Sequence, residues 1–332
     1  MVYLVVLTLQ KYLSLSMKTY ILALSTLVGT TIGVGLFGLP FVASKIGFIA
    51  MFVYFIVIGF VIRQLQLMFA EVTLQNKKFQ NELPGYCQRM LGKRYKTIAM
   101  ITMTLAIYGA ILAYIILGGE FLFQLLEPLF GGKALYYQVA YFLIGALLIY
   151  KGINSIAETE FFMLVALIAL VVVLFMFGLP QIQFEHLQGF SPKHIFLPYG
   201  VVIFSLWGVN VIPTIKNIVG DNTTQLKKVI GSGMIITVIV YLVFVITVLG
   251  VSGTQTTTDA LNGMVPLLSN KVLALGYFFG VLTTFTSFIA LGHALKNSFM
   301  NDYEIHKELA WFLSLFPPLA LFALGIKNFL YV

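Results

Sequence analysis

The sequence predicts an all-α integral membrane protein built from two repeats of opposite orientation. Of its 332 residues, 60 % are hydrophobic and only 10 % are charged, and the mean hydropathy is +0.97. Apolar stretches of about 20 residues, the length that crosses a bilayer, recur along the whole chain. Two of these stretches are interrupted by glycine and proline at matching positions of the two halves.

We predict nine membrane spans joined by short loops. Their approximate limits are 20–40, 45–72, 97–126, 135–150, 159–179, 196–215, 229–250, 272–297 and 310–330. With the N-terminus in the cytoplasm, 14 of the 20 Lys and Arg residues fall on the cytoplasmic side and five fall outside. This bias follows the positive-inside rule, so the net charge reports topology and not nucleic-acid binding. The predicted location is a cell membrane, crossed several times.

The first span is interrupted between Gly29 and Pro40, where four glycines and a proline fall within twelve residues. Glycine costs a helix about 1 kcal/mol and proline about 3 kcal/mol relative to alanine. The bilayer core offers no water to the backbone groups that a break frees, so broken helices persist where they line a buried cavity. We therefore interpret this segment as part of a binding site for a substrate or an ion.

A second interrupted span, from Pro198 to Pro213, contains two glycines and an asparagine. Aligning Gly29 with Gly200 gives an offset of 171 residues, which maps spans one to four onto spans six to nine. Paired broken helices in two halves are typical of inverted-repeat transporters. Five spans per half are an odd number, so the two halves enter the membrane in opposite orientations.

The offset also sets the expected domain limits. Repeat one covers about 20–179 and repeat two about 196–332, within a single transmembrane domain, 18–332. Residues 1–17 are expected to form a separate N-terminal segment, because Met17 would make a natural start. Span five maps to a tenth span near 330–350, past Val332. We therefore expect this chain to lack the last helix of its second repeat.

Short motifs spread over residues 18–332 carry a family resemblance. They are Gly29-Thr30-Thr31-Ile32-Gly33-Val34-Gly35, Gly38-Leu39-Pro40, Ile46-Gly47-Phe48, the segment from Pro198 to Pro213, Glu71, Leu91-Gly92-Lys93, Gly118-Gly119-Glu120, Pro317-Pro318 and Asn328-Phe329. Together they resemble the aromatic (hydroxy and aromatic) amino acid permeases and the wider amino acid/auxin permease family. The resemblance implies a LeuT-type fold of two five-helix inverted repeats with helices one and six broken. It also implies secondary amino acid transport, coupled in many members to protons and in some relatives to sodium.

The resemblance further implies that the two broken segments face each other near the middle of the membrane. A half-helix N-terminus carries about half a positive charge, so a substrate carboxylate fits there, on free N–H groups between Thr30 and Gly35. Unwound carbonyls at Phe204, Ser205 and Leu206 suit the ammonium group. The predicted substrate-binding residues are Thr30, Thr31, Gly33, Gly35, Phe204, Ser205, Trp207 and Tyr108, with Tyr114 considered beside Tyr108. The alternative is that the glycines serve close helix packing and the aromatics ordinary core packing.

Candidate residues for ion coupling lie in spans two, three and eight. Thr283, Thr286 and Ser287 place hydroxyls on one helix face and offer Na⁺ the oxygen ligands that a hard cation takes. The alternative is that they bond back to carbonyls of their own helix. Glu71 and Glu120 are ionisable groups in or near spans, where such groups are costly and often functional. Their alternative is a hydrated position at the membrane surface.

No enzyme signature is present, and the GxGxxG letters from Gly33 to Gly38 do not follow a strand. Cys87 is the only cysteine, which excludes an intrachain disulfide. We predict a secondary active transporter of amino acids, hydrophobic or aromatic ones, that uses alternating access. It takes H⁺ or Na⁺ as coupling ion, no cofactor and no metal, and its partners are the amino acid and the lipid bilayer. The alternatives are an amino-acid-sensing receptor subunit of the same fold, similar to germinant receptor subunits, and an inactive fragment.

Overall fold

The structure is a computed structural model that describes residues 2–75, 82–151, 156–264 and 269–326. All of the regular structure in this part of the chain is helical. The α-helices are α1 (Val2–Thr31), α2 (Gly35–Ile46), α3 (Phe48–Gln75), α4 (Leu83–Leu91), α5 (Lys93–Phe130), α6 (Ala134–Lys151), α7 (Ile156–Gly178), α8 (Leu197–Leu206), α9 (Ile212–Val219), α10 (Thr223–Ser252), α11 (Asn270–Asn297) and α12 (Lys307–Ala323). Short 3₁₀ turns and one π-helical turn, Ser298–Asp302, connect some of them.

The helices follow the predicted spans in order. The pair α1–α2 is span one and α8–α9 is span six, while α3, α5, α6, α7, α10 and α11 are spans two, three, four, five, seven and eight. By length and composition, seven helical segments of the described residues can cross a membrane, and the bent pair α1–α2 makes eight. The ninth predicted span is α12, which is shorter at 17 residues. The last residues of that prediction, from 327 on, lie outside the described part.

Two helical features lie outside the predicted spans. α1 is continuous from Val2 to Thr31, so residues 2–17 extend the first helix towards its N-terminus. The nine-residue α4 lies between spans two and three, begins after Glu82 and has Pro84 in its first turn. Proline suits that position because its missing N–H would have had no helical partner there.

Both interrupted spans are broken where the sequence predicts. α1 ends at Thr31 and α2 begins at Gly35, and the two helices are bent by 53°. α8 ends at Leu206, the extended residue Trp207 follows, and α9 begins at Ile212 after a 3₁₀ turn. The predicted pair of broken helices is therefore present.

Equivalent spans of the two halves pack against each other. α2 contacts α8 and α1 contacts α9, while α3 contacts α10 and α5 contacts α11. In each of the last two pairs, one helix is separated from its partner by about one repeat length along the chain. This is the pairing that two repeats of opposite orientation produce. α6 and α12 pack against α5 and α11 and complete the bundle.

A buried aromatic cluster holds α2 in place directly after the first break. Phe37 on α2 is 1 % exposed. Its ring centroid lies 4.6 Å from that of Phe121 on α5 and 5.9 Å from that of Phe244 on α10, both in edge-on geometry. Edge-on aromatic pairs contribute about 0.5–1.5 kcal/mol beyond the burial of their area. The outer half of the first span is therefore fixed between α5 and α10.

Candidate substrate cavity

The two helix breaks meet at a tyrosine hydroxyl. The Tyr241 hydroxyl on α10 lies 2.7 Å from the Ser205 carbonyl oxygen and 3.0 Å from the Thr31 carbonyl oxygen. Thr31 is the last residue of α1 and Ser205 lies in the last turn of α8, where helices leave carbonyls without a partner. Tyr241 is completely buried. Its single O–H proton is shared between carbonyls at the two breaks, so one side chain links the two broken helices.

A cavity of about 320 Å³ lies between the breaks. Its size is at the lower end of the range for small-molecule sites. Six of the eight predicted substrate-binding residues line it: Thr30, Thr31, Gly33, Gly35, Phe204 and Trp207. The remaining wall comes from α5, with Tyr114 and three small or aliphatic residues, from α8, from Leu291 on α11, and from Gly208 and Asn210 after the second break. Most of this lining is apolar, and the polar groups concentrate at the breaks.

In the described part of the chain, the backbone at the first break carries two N–H groups without a backbone acceptor, and one of the two residues, Gly35, lines the cavity. The Gly33 N–H donates to the Thr31 carbonyl at 3.1 Å, and the Leu36 N–H donates to the Gly33 carbonyl at 3.2 Å. Within the described residues, the N–H groups of Val34 and Gly35 at the start of α2 form no backbone hydrogen bond. Such N–H groups, together with the helix dipole, form an anion-binding site. The Thr31 hydroxyl donates to the Leu27 carbonyl at 2.6 Å, so it can only accept from a ligand.

Glycine is required where the broken helices touch. A methyl group added at Gly35 would lie 2.3 Å from the Ser205 oxygen Oγ and 2.9 Å from the Ser205 atom Cα. A methyl group added at Gly208 would lie 2.6 Å from the Thr31 oxygen Oγ1. These distances are well inside van der Waals contact. The packing role that the sequence left open for Gly35 is therefore real, and it coexists with a place on the cavity wall.

Ser287 on α11 and Tyr114 on α5 place their hydroxyls beside Gly33 at the first break. A methyl group at Gly33 would lie 2.9 Å from the Ser287 oxygen Oγ and 3.0 Å from the Tyr114 hydroxyl oxygen. Ser287 is 1 % exposed, and in the described part of the chain its hydroxyl donates to no carbonyl of its own helix. Thr283 and Thr286, in contrast, donate to α11 carbonyls at 3.1–3.2 Å. Of the three hydroxyls predicted to hold an ion, only the one on Ser287 is aimed at the first break.

Two predicted substrate-binding residues do not line the cavity. The Ser205 hydroxyl donates to the Val201 carbonyl at 2.7 Å and the Ser205 carbonyl accepts from Tyr241, so both oxygens are used inside the protein. The Tyr108 hydroxyl donates to the Leu313 carbonyl of α12. The prediction for Ser205 rests on its place in the second broken segment and that for Tyr108 on its place in span three. The rotation of each helix in the bundle puts Ser205 behind the cavity wall and Tyr108 against α12.

The predicted coupling carboxylates lie away from the cavity. Glu71 forms an ion pair with Lys227 of α10 at 2.9 Å, and both side chains are about half exposed. Glu120 accepts a hydrogen bond from Gln124 at 3.0 Å, towards the C-terminal end of α5. The structure therefore matches the surface position that the sequence left open for Glu71. Among the described residues, no group of His, Cys, Asp and Glu could hold a metal ion.

Sequence reasoning missed Tyr241 and Gln66, which support the second break. Gln66 on α3 is 1 % exposed, and its amide nitrogen would lie 2.9 Å from a methyl group at Gly208. Its oxygen Oε1 is buried without a hydrogen-bond partner among the described residues. A buried amide in an apolar span is a signal that could have identified Gln66. Tyr241 is one of 17 tyrosines and carries no such signal.

Two inverted repeats with a mostly apolar cavity between two broken helices define a membrane transporter of the LeuT type, and not an enzyme. The chain belongs to the tryptophan/tyrosine permease family, whose model matches residues 17–330. This confirms the family resemblance that the sequence motifs carry.

Two curated relatives come from Haemophilus influenzae. Tyrosine-specific transport system 1 is 28 % identical over 287 residues, which cover 80 % of this chain and 69 % of the relative. Tyrosine-specific transport system 2 is 24 % identical over 233 residues, which cover 68 % of this chain and 56 % of the relative. The matched part of this chain thus spans 69 % of the length of the first relative and 56 % of the length of the second.

Two solved structures share the fold. The structure of MhsT in complex with L-phenylalanine matches with a TM-score of 0.71 and 17 % identity, over 91 % of this chain and 78 % of that one. Mhp1, a nucleobase-cation-symport-1 family transporter in a closed conformation with bromovinylhydantoin bound, matches with a TM-score of 0.75 and 15 % identity, over 94 % and 73 %. At these identities the likeness concerns the fold, and it confirms the predicted all-α architecture.

Proposed function

We propose that this chain is a secondary active transporter that carries an aromatic amino acid, tyrosine first among them, across the cell membrane by alternating access. The observation that carries the proposal is the cavity between the two breaks, with free N–H groups at one end and aromatic rings on its wall. The names of the two curated relatives support tyrosine as the first substrate to test. Membership of a permease family favours transport over the receptor alternative.

The first break suits the substrate carboxylate. The N–H groups of Val34 and Gly35 begin a 12-residue helix, so the partial positive charge of α2 adds to their hydrogen bonds. With no Cβ at Gly33 or Gly35, the carboxylate can approach the backbone closely. Phe204 and Asn210 line the cavity at the second break, and their carbonyl and side-chain amide are polar groups for the ammonium end.

The second break suits the aromatic side chain. Phe204 and Trp207 line the cavity and are 38 % and 37 % exposed, so part of each ring is free for stacking. Offset or edge-on ring pairs prefer centroid distances of 4.5–7 Å and add about 0.5–1.5 kcal/mol each. Tyr114 lies on the α5 wall of the same cavity. An aliphatic substrate would gain less from these walls than an aromatic one.

A downhill ion, H⁺ or Na⁺, drives the uphill movement of the substrate in this proposal. Ser287 supports a cation position beside Gly33, because its hydroxyl is buried and not used by its own helix. Thr283 and Thr286 support it less, because both hydroxyls donate to α11 carbonyls. Glu71 and Glu120 stay candidates from the sequence, and their placement at the bundle ends offers no contact with the cavity lining.

The direct test is uptake of labelled tyrosine, phenylalanine and tryptophan into proteoliposomes that contain the purified chain. We expect saturable uptake that unlabelled aromatic amino acids suppress and that alanine or glutamate do not. Absence of uptake and exchange for every amino acid, with and without a proton or sodium gradient, would refute the proposal.

The two tryptophans allow a test of the site itself. Trp207 lines the cavity, whereas Trp311 on α12 donates its indole N–H to the Ala146 carbonyl at 2.8 Å. In the Trp311→Phe variant, phenylalanine should change the fluorescence of Trp207 in a saturable way. In the matched Trp207→Phe variant, the same titration should leave the fluorescence of Trp311 unchanged. The reverse pattern would indicate that phenylalanine binds near Trp311 and not at the helix breaks.

A further inference from the structure

A second, smaller cavity adjoins the substrate cavity on the side that the positive-inside rule assigns to the cytoplasm. We call it the inner vestibule; its volume is about 100 Å³. It shares four wall residues with the substrate cavity: Thr30, Asn210, Val211 and Leu291. The inner halves of the broken spans, α1 and α9, line it together with the last turns of α11. The vestibule therefore lies on the route from the substrate cavity to the cytoplasm.

Glu82 is the one carboxylate among the residues that line this vestibule. It precedes α4, in the connection between spans two and three, and its side chain does not cap that helix. No ion pair within the described residues involves it. A carboxylate that lines a small cavity and has no ion-pair partner within the described residues is costly in its ionised form.

The charged and titratable groups around Glu82 come from three elements packed beside it and from α4 itself. Asp302, at the end of the π-helical turn, acts on it as a like charge. His293 of α11 lines the same vestibule. The Lys96 ammonium group of α5 donates a hydrogen bond to the Asp302 backbone carbonyl.

α4 itself adds Tyr86 and Arg89. Tyr86 lies within electrostatic reach of Glu82, Arg89 and Asp302. The groups that α1 and α9 add to the vestibule, Thr26 and Thr214, are uncharged.

Burial, and to a lesser extent the Asp302 carboxylate, raises the pKa of the Glu82 carboxyl from 4.5 to about 8. The shift is upward, so the neutral form of the carboxyl is favoured in this structure. The carboxyl keeps its proton below about pH 8 and loses it as the pH rises through that value. Access of water to Glu82 would remove much of the burial and bring the pKa of its carboxyl back towards its ordinary range.

We propose that Glu82 is the residue from which the coupling proton leaves for the cytoplasm, with the inner vestibule as its binding site; this rests on the proposed transport function. The proton is bound to a Glu82 carboxyl oxygen while the vestibule is closed. When the vestibule opens, the O–H bond breaks, water takes the proton, and the carboxylate remains hydrated. The substrate leaves through the same space, so both are released in one step of the cycle.

The test compares two kinds of transport in proteoliposomes, for the wild type, Glu82→Gln and the control Glu308→Gln. Glu308 is an exposed carboxylate at the start of α12 and lines neither cavity. Exchange of labelled for unlabelled tyrosine needs no net proton movement, whereas accumulation on an inward proton gradient does. We expect Glu82→Gln to keep exchange within about threefold of the wild type and to lose at least tenfold of the gradient-driven accumulation. Glu308→Gln should keep both.

The pH profile separates proton binding from a structural role. Wild-type uptake should fall as the pH rises, with an inflection near pH 8, because the Glu82 carboxyl then loses its proton. Exchange by Glu82→Gln should not change between about pH 6 and 9. Glu82→Asp keeps a carboxyl and should restore accumulation with a shifted inflection. The proposal is overturned if Glu82→Gln accumulates like the wild type, if both Glu82 variants lose exchange, or if the wild type accumulates on a sodium gradient alone. A wild type that neither binds nor exchanges any aromatic amino acid would instead refute the proposed transport function.

Discussion

Replacing Tyr241 by Phe removes the hydroxyl that links the two helix breaks and keeps the ring. The loss falls mainly on the Ser205 carbonyl, which lies 2.7 Å from the hydroxyl. The Thr31 carbonyl, at 3.0 Å, keeps a second donor in the Gly33 N–H at 3.1 Å. The substitution therefore costs about one hydrogen bond to a buried carbonyl.

That cost sets the expected effect on binding. Leaving a buried acceptor unpaired costs about 1–3 kcal/mol, whereas hydrogen bonds between membrane helices average about 0.6 and reach about 1.7 kcal/mol. A value of about 1–1.7 kcal/mol satisfies both ranges and corresponds to a factor of about 5–16 in an equilibrium constant. We expect Tyr241→Phe to weaken tyrosine binding by this factor, because the two breaks are no longer held at one spacing.

The assay is equilibrium binding of labelled tyrosine to detergent-purified protein, with thermal unfolding measured on the same sample. Tyr54→Phe is the matched control, because the Tyr54 hydroxyl donates to the Ile195 carbonyl at 2.5 Å in an exposed position. The control should bind tyrosine like the wild type. If Tyr241→Phe binds within twofold of the wild type, the hydroxyl does not position the breaks and the reasoning fails.

Three further substitutions test the placement of predicted residues. Gly35→Ala puts a methyl group 2.3 Å from the Ser205 oxygen Oγ, so we expect overpacking of about 1–3 kcal/mol, seen as a lower melting temperature and loss of uptake; a wild-type melting temperature would contradict the close contact. Tyr108→Phe should leave the affinity for tyrosine within twofold of the wild type, because the Tyr108 hydroxyl donates to the Leu313 carbonyl and not to the cavity. A tenfold loss of affinity would indicate that Tyr108 contacts the substrate. Glu71→Gln breaks an exposed ion pair worth at most about 1 kcal/mol, so gradient-driven accumulation should persist, and its loss would support the coupling role predicted from the sequence.

The broken helices were predictable because glycine and proline act locally. A run with the composition of Gly29 to Pro40 is a poor helix in any surroundings, and the offset to Gly200 follows from counting along the chain. The spans were predictable for the same reason, since a stretch of about 20 apolar residues is recognisable without its neighbours. Thr30, Gly33 and Trp207 lie at the breaks themselves, and they are among the predicted residues that line the cavity.

Residues away from the breaks were harder to assign, because their role depends on the rotation of each helix in the bundle. Tyr108 and Tyr114 are both on α5, and only packing against α12 and α11 turns one away from the cavity and the other onto its wall. Thr286 and Ser287 are adjacent, yet one hydroxyl bonds to its own helix and the other faces the first break.

The sequence by itself determined the membrane class, the helix order, the two breaks and the family, because each depends on local composition or on spacing along the chain. Only the tertiary structure decided that Tyr241 joins the breaks and that Glu82 lines the inner vestibule. Tyr241 is 210 residues from Thr31 along the chain. Contacts of that kind arise from the packing of one repeat on the other, and a single sequence carries no local signal for them.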